Sequence, residues 1–135
     1  MEVLRKCRVC GLEITDKKDL ELFYKDKTCK YNRDTICKKC ANKQRYKSKA
    51  KRQKRYQWEA IQLLGGKCEA CGKEATLDTM VCFDFHHRED SKRNGDATMS
   101  YTIQSKPLEV ILEEAQKCIL FCACCHRLHH QKYGY

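Results

Sequence analysis

Two stretches of the sequence carry histidines at spacings that suit a metal ion. The first is the doublet His86 and His87, at the end of an aromatic-rich stretch. The second places His126 directly after a Cys-x-x-Cys pair and follows it with His129 and His130. Because residues four apart share one face of a helix, His126 and His130 can join a histidine from the doublet around one ion. His129 is offset by one position, so spacing leaves it as an alternative ligand.

Cysteine spacing indicates two further metal sites, of a structural kind. Eight of the 12 cysteines form Cys-x-x-Cys pairs, each of which can present two thiolates to one zinc ion, and two pairs complete a tetrahedral site. The pairs are Cys7 with Cys10, Cys37 with Cys40, Cys68 with Cys71, and Cys122 with Cys125. The simplest prediction is two structural zincs. The other cysteines are expected to stay reduced, with a disulfide scaffold as the less favoured alternative. They are Cys29, Cys82, Cys118 and Cys124.

Length and charge limit the possible functions. The chain has 135 residues, 34% of them charged, which allows one modest domain or two very small ones with little apolar core. Its 28 Lys and Arg against 18 Asp and Glu give a net charge of +10 and a pI near 9.1, which favours a polyanionic partner, nucleic acid first. The sequence has no apolar run of about 18 residues and no secretion signal, so we expect a soluble cytoplasmic protein that does not bind membranes.

Three segments are expected along the chain. Residues 1–42 would form a zinc ribbon or knuckle, because a segment of about 40 residues rarely folds without metal, whereas structural zinc supplies about 10–16 kcal/mol. Residues 43–66 would form a basic helical linker, with a helix from Asn42 to Leu64 that ends at Gly65 and Gly66. Residues 67–135 would form the second zinc module.

The predicted helix is strongly basic. Eight cations occur in it with no acidic residue among them, and they would repel one another without a counterion. They are Lys43, Arg45, Lys47, Lys49, Lys51, Arg52, Lys54 and Arg55. We expect this segment to contact the backbone of double-stranded DNA, and a solvated linker helix is the alternative. The DNA-contacting set is predicted to include Lys43, Arg45, Lys47, Lys51, Arg52 and Arg55.

Apolar patterns predict the elements of residues 67–135. The alternating, aromatic-rich stretch 79–85 predicts a strand. Ser105 is expected to cap a helix that begins near Lys106 and buries an apolar stripe. A short apolar run, 119–121, leads into the Cys122 turn, and a last helix is expected to begin near His126. The buried stripe would consist of Leu108, Ile111, Leu112 and Ala115.

Taken in order, these motifs resemble those of the HNH endonucleases, particularly small phage and bacterial ones. They are Cys-x-x-Cys-Gly, an apolar strand ending in Asp-Phe-His-His, an amphipathic helix ending in Lys-Cys, and Cys-Ala-x-Cys-His-Arg with a further His. The match covers residues 67–131. The first module, with Phe-Tyr-Lys-Asp between two Cys-x-x-Cys pairs and a basic stretch behind them, is similar to the zinc-finger extension ahead of the HNH domain in such phage proteins.

The resemblance implies a small, zinc-stabilised α+β fold with a ββα-metal (His-Me finger) catalytic core. His86, His126 and His130 would bind the catalytic metal, Mg²⁺ or Mn²⁺ with Zn²⁺ or Ni²⁺ as alternatives, and His87 would be the general base. Adjacent side chains diverge on a strand, so the two histidines of the doublet should not both serve the metal equally. The second structural zinc would be held by Cys68, Cys71, Cys122 and Cys125.

Two positions depart from the family pattern. Relatives carry an Asn nine residues before the His of Cys-x-x-Cys-His, and this chain has Lys117 there, so another group must orient His87. The residue before Cys125 is Cys124, where relatives often have Asn, and it is a competing zinc ligand if the turn rearranges. Neither departure removes a predicted metal ligand.

The function expected from the sequence is metal-dependent endonucleolytic hydrolysis of DNA, which the resemblance implies would leave 3′-hydroxyl and 5′-phosphate ends. The alternative is a non-catalytic, zinc-stabilised DNA- or RNA-binding or regulatory protein. Both predict zinc and nucleic-acid affinity, but only the enzyme predicts cleavage that requires added divalent metal. One active site per chain leaves nicking and double-strand cutting open, and a homodimer would supply a second site.

Overall fold

The computed structural model describes residues 1–88 and 98–134, and the fold is a small α+β structure. The chain divides into two compact units, Met1–Ala50 and Lys51–Tyr135, and each contains one cluster of four cysteines. The segment 67–135, predicted as the nuclease domain, includes residues 89–97 and 135, which lie outside the described residues.

The first unit begins with a two-stranded antiparallel sheet around its first cysteine pair. Strands β1 (Arg5–Lys6) and β2 (Glu13–Ile14) pair on either side of the turn that contains Cys7 and Cys10. The turn closes through a hydrogen bond from the Gly11 amide to the Cys7 carbonyl oxygen, 2.9 Å long, and Gly11 has a φ of +76°, which favours glycine. Two sulfurs are thereby presented from one tight turn.

A second antiparallel sheet completes this unit. A 3-10 helix, Lys17–Leu22, leads into strand β3 (Phe23–Lys25), which pairs with strand β4 (Arg33–Cys37). The first residue of β3, Phe23, lies opposite the last residue of β4, Cys37. The small core of this unit contains Cys7, Ile14, Phe23, Ile36 and Cys37.

Helix α1 (Lys38–Leu63) follows β4 without a loop. It begins at Lys38 rather than at Asn42, because the second cysteine pair spans the junction and Cys40 lies in its first turn. It ends as expected at glycines with positive φ, +93° at Gly65 and +69° at Gly66. Its buried residues are Ala60 and Ile61, near its end. No helix in the described part of the chain is long and apolar enough to cross a membrane.

The predicted strand 79–85 was placed too early. Thr76 and Thr79 form a turn in which the Met80 amide donates to the Thr76 carbonyl oxygen at 2.8 Å, and residues Met80–Cys82 continue as a 3-10 helix. This turn buries the Met80 side chain, which the prediction had assigned to a strand. Strand β5 therefore runs from Phe83 to His87.

The helix predicted to begin near Lys106 is present, but Ser105 does not cap it, and a shorter helix that was not predicted precedes it. Helix α2 (Met99–Ser105) is capped by the Thr98 hydroxyl, and the Ser105 hydroxyl donates back to the Tyr101 carbonyl oxygen at 2.8 Å. Pro107 has no N–H to continue α2 and instead caps helix α3 (Leu108–Ala115). Of the predicted stripe, Ile111 and Ala115 are buried, and Leu108 and Leu112 are half-buried.

The last two elements form a ββα unit with strand β5. Strand β6 (Cys118–Cys122) pairs antiparallel with β5 along its whole length, with Phe83 opposite Cys122 and His87 opposite Cys118. Helix α4 (Ala123–Tyr133) begins earlier than His126, because the Cys122 sulfur caps it by accepting from the Cys125 amide at 3.4 Å. The main core of this unit contains Ile61, Cys68, Met80, Phe83, Leu120, Phe121 and Cys122.

Candidate functional site: three clusters of metal ligands

Four cysteine sulfurs come together in each unit, within 4.8 Å of one another. Two opposed sulfurs are 3.8 Å apart in each cluster, Cys10 to Cys37 in the first and Cys71 to Cys122 in the second. Zn–S bonds of about 2.3 Å in a tetrahedron place sulfurs about 3.8 Å apart, so both clusters could hold zinc. The clusters are Cys7, Cys10, Cys37 and Cys40, and Cys68, Cys71, Cys122 and Cys125, the same sets that the sequence predicted.

The thiols of the first cluster differ strongly in acidity. Burial opposes ionisation of Cys7, but hydrogen bonds from the backbone amides of Cys10, Cys37 and Val9 outweigh it and lower the pKa of the Cys7 thiol to about 6. Hydrogen bonding to the Cys37 sulfur, followed by burial, raises the pKa of the Cys40 thiol to about 12. One sulfur of the cluster therefore ionises readily, and another is held as a thiol by its neighbours.

The second cluster has the same asymmetry. Backbone amides, those of Cys122 and Cys71 first, overcome the opposing effect of burial and lower the pKa of the Cys68 thiol to about 6. Hydrogen bonding to the Cys122 sulfur, followed by burial, raises the pKa of the Cys125 thiol to about 12. Four thiolates this close repel one another, so full ionisation of either cluster requires a bound cation, as zinc coordination supplies.

Three imidazoles converge between strand β5 and helix α4. The Nδ1 atom of His86 is 3.2 Å from Nε2 of His126, which is 2.9 Å from Nε2 of His130. Metal–nitrogen bonds of about 2.1 Å bring the nitrogens of neighbouring ligands to roughly 3.0–3.4 Å, so these separations fit one shared ion. All three side chains are half-buried, and their ligand nitrogens lie within 4.8 Å of one another.

The outward-facing nitrogens of the two α4 histidines have oxygen partners. Nδ1 of His126 is 3.0 Å from Oδ2 of Asp84, and Nδ1 of His130 is 3.0 Å from the carbonyl oxygen of Gly134. Because these oxygens accept hydrogen bonds, each Nδ1 carries the proton and each Nε2 presents a lone pair to the centre of the cluster. Lone pairs that face one another at such distances repel, unless a cation lies between them.

The geometry distinguishes the two neighbouring histidines that spacing left open. His130 points Nε2 into the cluster, whereas His129 is absent from the group of ligand nitrogens that lie close together. The His129 ring packs edge-on against the His86 ring, at a centroid distance of 4.6 Å, and also beside Tyr133, at 4.9 Å, without adding a nitrogen to that group. The preferred third ligand is therefore His130.

The other histidine of the doublet, His87, points to a different partner. Its Nε2 is 2.8 Å from Oε1 of Glu114, a buried carboxylate whose Oε2 accepts from Nζ of Lys117 at 2.9 Å. A carboxylate accepts hydrogen bonds, so Nε2 of His87 carries the proton and Nδ1 presents its lone pair. Among the described residues, Nδ1 has no hydrogen-bond partner. Glu114 makes the contact that orients His87.

These groups line one groove in the second unit. Both histidines of the doublet line it, together with Asp84, His126 and His130. The remaining polar side chains along it are uncharged: Gln53, Gln57, Thr98, Ser100 and Gln104. The histidine cluster and His87 therefore line one groove.

The eight cations of the basic segment, which include the six predicted to contact DNA, all lie on helix α1 and are exposed. None of them forms an ion pair with an acidic side chain in the described ranges, 1–88 and 98–134. Internal salt bridges therefore do not neutralise this charge, and counterions or a polyanionic ligand must do so.

Two residues of the site, Asp84 and Glu114, were not predicted as functional from the sequence. A signal existed for each. Asp84 lies two residues before His86 on the same strand, and side chains two apart share a face of a sheet. Glu114 lies three residues after Ile111, on the buried stripe of α3, and an acidic residue in such a stripe needs a specific partner.

Comparisons with known proteins find no match for this chain among protein-family models, curated proteins or solved structures.

Proposed function

We propose that this protein is a metal-dependent HNH endonuclease that hydrolyses phosphodiester bonds of double-stranded DNA. One observation carries the proposal: nitrogens of three imidazoles converge in the same groove as a histidine whose tautomer is fixed by the buried Glu114. Strands β5 and β6 with helix α4 have the order expected of a ββα-metal core. The exposed cations of α1 supply affinity for a polyanion.

His87 is the general base of the proposed reaction. Its Nδ1 lone pair takes a proton from water as the water oxygen attacks phosphorus, and the bond from phosphorus to the 3′ oxygen breaks. The products are a 5′ phosphate and a 3′ hydroxyl, the latter after protonation from solvent. Glu114 stabilises the imidazolium that forms, and its other oxygen stays paired with Lys117.

The catalytic metal would be held by His86, His126 and His130. A bound divalent cation supplies Lewis-acid stabilisation of the charge that develops on the phosphate and the leaving oxygen. Mg²⁺ and Mn²⁺ are the first candidates, and imidazole ligands also suit Zn²⁺ and Ni²⁺. Asp84 fixes the ring of His126, so that ligand is oriented before any ion binds.

Cleavage of supercoiled plasmid tests the proposal. The zinc-loaded protein with Mg²⁺ or Mn²⁺ is expected to convert the plasmid to nicked or linear form, and EDTA is expected to stop the conversion. His87→Ala is expected to slow cleavage by about 10²–10⁴-fold, the range for loss of a general base. His129→Ala is the matched control, because it removes a histidine of the same region that lies outside the ligand group.

Two results would contradict the enzyme and favour the non-catalytic nucleic-acid-binding protein. The first is a folded, DNA-binding protein that cleaves with none of Mg²⁺, Mn²⁺, Zn²⁺ or Ni²⁺. The second is cleavage that is equally fast with and without added metal and is unchanged in His87→Ala, which would indicate a contaminating nuclease.

A further inference from the structure

The first unit repeats the backbone plan of the second. Each begins with a Cys-x-x-Cys-Gly turn, in which the glycine amide donates to the first cysteine carbonyl oxygen at 2.9 Å. The two glycines, Gly11 and Gly72, have φ values of +76° and +74°. In both turns the sulfur of the first cysteine, Cys7 or Cys68, accepts hydrogen bonds from the amides of three corresponding residues.

The correspondence continues through the next elements. In each unit a 3-10 helix leads into a strand whose first residue is a buried phenylalanine, Phe23 or Phe83. That residue lies opposite the third cysteine, which ends the next strand, and a helix begins at the following residue. Both units are therefore ββα modules built around a four-cysteine cluster.

The first unit lacks the histidines of the second. In the second unit His126 and His130 lie one and five residues beyond the fourth cysteine of the cluster, and the same positions in the first unit are Ala41 and Arg45. On the strand, His86 is three residues beyond the phenylalanine, where the first unit has Asp26, behind an irregularity in the β3–β4 register.

Fixed cations occupy the corresponding face of the first unit. The Arg45 guanidinium lies over the Tyr24 ring at 4.8 Å from its centroid, and the Lys38 ammonium lies at 5.5 Å from the same centroid. The Tyr24 hydroxyl donates to Oδ1 of Asn42 at 2.8 Å, which ties the ring to α1. Tyr24 follows its phenylalanine as Asp84 follows Phe83, and both side chains reach the helix of their own unit.

Charge is concentrated in the first unit. Residues 1–50 contain 15 Lys and Arg against 7 Asp and Glu, a net +8, whereas residues 51–135 contain 13 against 11, a net +2. The unit that contains the histidine cluster is therefore nearly neutral, and most of the net charge that attracts a polyanion lies in the other unit.

We infer that the first unit is a DNA-backbone-binding copy of the catalytic module, in which Lys38 and Arg45 hold a phosphate at the face where the second unit has its histidine cluster. A guanidinium and an ammonium bind a phosphodiester without polarising a water for attack, so this copy binds but does not cut. The inference rests on the proposed function only for the choice of DNA as the polyanion.

Binding of a labelled DNA duplex of about 20 base pairs tests this inference, with the salt dependence as the readout. The measurements use His87→Ala protein without added metal, so that the probe stays intact. The double variant Lys38→Gln/Arg45→Gln is expected to weaken binding and to reduce the slope of log K against log salt by about 0.9, because the phosphate that the two cations hold is no longer neutralised. Lys17→Gln/Lys18→Gln is the matched control, since it removes two exposed cations from the same unit.

Three outcomes would overturn the inference: equally weakened binding in the two double variants, unchanged binding in Lys38→Gln/Arg45→Gln, or weakened binding confined to duplex RNA of the same length. Tyr24→Leu tests separately whether the Tyr24 ring contributes to binding, because it keeps the charges of Lys38 and Arg45 and removes the ring under both cations. It is expected to weaken binding while two zincs per chain are retained, and unchanged affinity in that variant would overturn the inference too. Plasmid cleavage by the wild type is read separately, so failure of the nuclease proposal leaves this result interpretable.

Discussion

Burying a carboxylate costs free energy unless both of its oxygens have partners. Glu114 meets this condition, because Lys117 contacts one of its oxygens and His87 contacts the other. Lys117 pairs with Oε2, and His87 occupies Oε1, which sets the tautomer of the proposed base. The carboxylate therefore acts on the reaction only through the imidazole, as a positioning residue.

Changing Glu114→Gln tests that role with little change in side-chain volume. Turnover is expected to fall by about 10²–10⁴-fold, because an amide can present either oxygen or nitrogen to Nε2 and no longer selects one tautomer. KM and zinc content are expected to stay near wild type. Glu113→Gln, at the exposed neighbouring position, is the control. If Glu114→Gln turns over as fast as Glu113→Gln, His87 does not depend on this carboxylate.

The histidine cluster gives a second prediction at this scale. His86→Ala and His126→Ala are each expected to weaken binding of the catalytic metal by at least about tenfold, because each removes one of three ligands, while His129→Ala binds it normally. Titration with Mn²⁺ or Ni²⁺ measures this directly. Elemental analysis should still find two tightly held zincs in all three variants, and loss of one zinc from His126→Ala would assign that residue to the structural site instead.

Helix α4 carries residues of two clusters, the second cysteine cluster and the histidine cluster. Cys122 caps it and Cys125 lies in its first turn, while His126 and His130 follow on the same helix. Strand β6 ends at Cys122 and pairs with the strand that carries His86. A zinc ion in the second cysteine cluster would fix the start of α4, and hence the direction in which its histidines point.

The cysteines of α4 give a matched pair of variants. Cys125→Ser is expected to lose one of two zincs and cooperative unfolding, because metal binding supplies on the order of 10 kcal/mol to such modules. Cys124→Ser, at an exposed neighbouring position outside the cluster, is expected to keep both. Zinc analysis and a thermal melt of each variant provide the measurement. A soluble, two-zinc Cys125→Ser protein together with a defective Cys124→Ser protein would reverse the assignment.

Elements whose signals are local could be predicted from the sequence, and those set by tertiary contacts could not. The cysteine clusters, the basic helix and the shared face of His126 and His130 follow from spacing alone. Helix α2 was not predicted, because it is only 7 residues long and its buried residues, Met99, Thr102 and Ile103, do not form a clear apolar stripe. The Glu114 contact with His87 joins residues 27 apart in sequence, and no local pattern encodes such a pairing.

At the scale of the whole molecule, charge and chemistry lie in different parts of the sequence. The proposed catalytic residues all belong to residues 51–135, and most of the net positive charge belongs to residues 1–50. Backbone contacts position a duplex without reading its sequence, so the strength of binding and the rate of the chemical step should respond to separate substitutions.

Neutralising four cations of α1, none of them a proposed catalytic residue, tests whether binding and the chemical step respond to separate substitutions. The variant Lys47→Gln/Lys51→Gln/Arg52→Gln/Arg55→Gln is expected to weaken DNA binding and to lower the salt slope by up to about 3.6, or about 0.9 for each phosphate that the helix no longer neutralises. Turnover at saturating DNA should change little. The control removes four exposed lysines outside α1: Lys67, Lys73, Lys106 and Lys132. An unchanged slope in the α1 variant would make these residues a solvated linker.

Because Cys125 and His126 are neighbours in the sequence, oxidation of the cysteine would also affect the histidine. Thiolate sulfur is oxidised to sulfenic acid or disulfide under conditions that leave imidazole intact. Oxidation of Cys125 would remove a ligand from its cluster and loosen the turn that holds His126. We expect peroxide to inactivate this protein, and a thiol reductant with zinc to restore its activity. Hydrolysis of a phosphodiester transfers no electrons. The redox state of the surroundings would therefore control a reaction that is not itself a redox reaction.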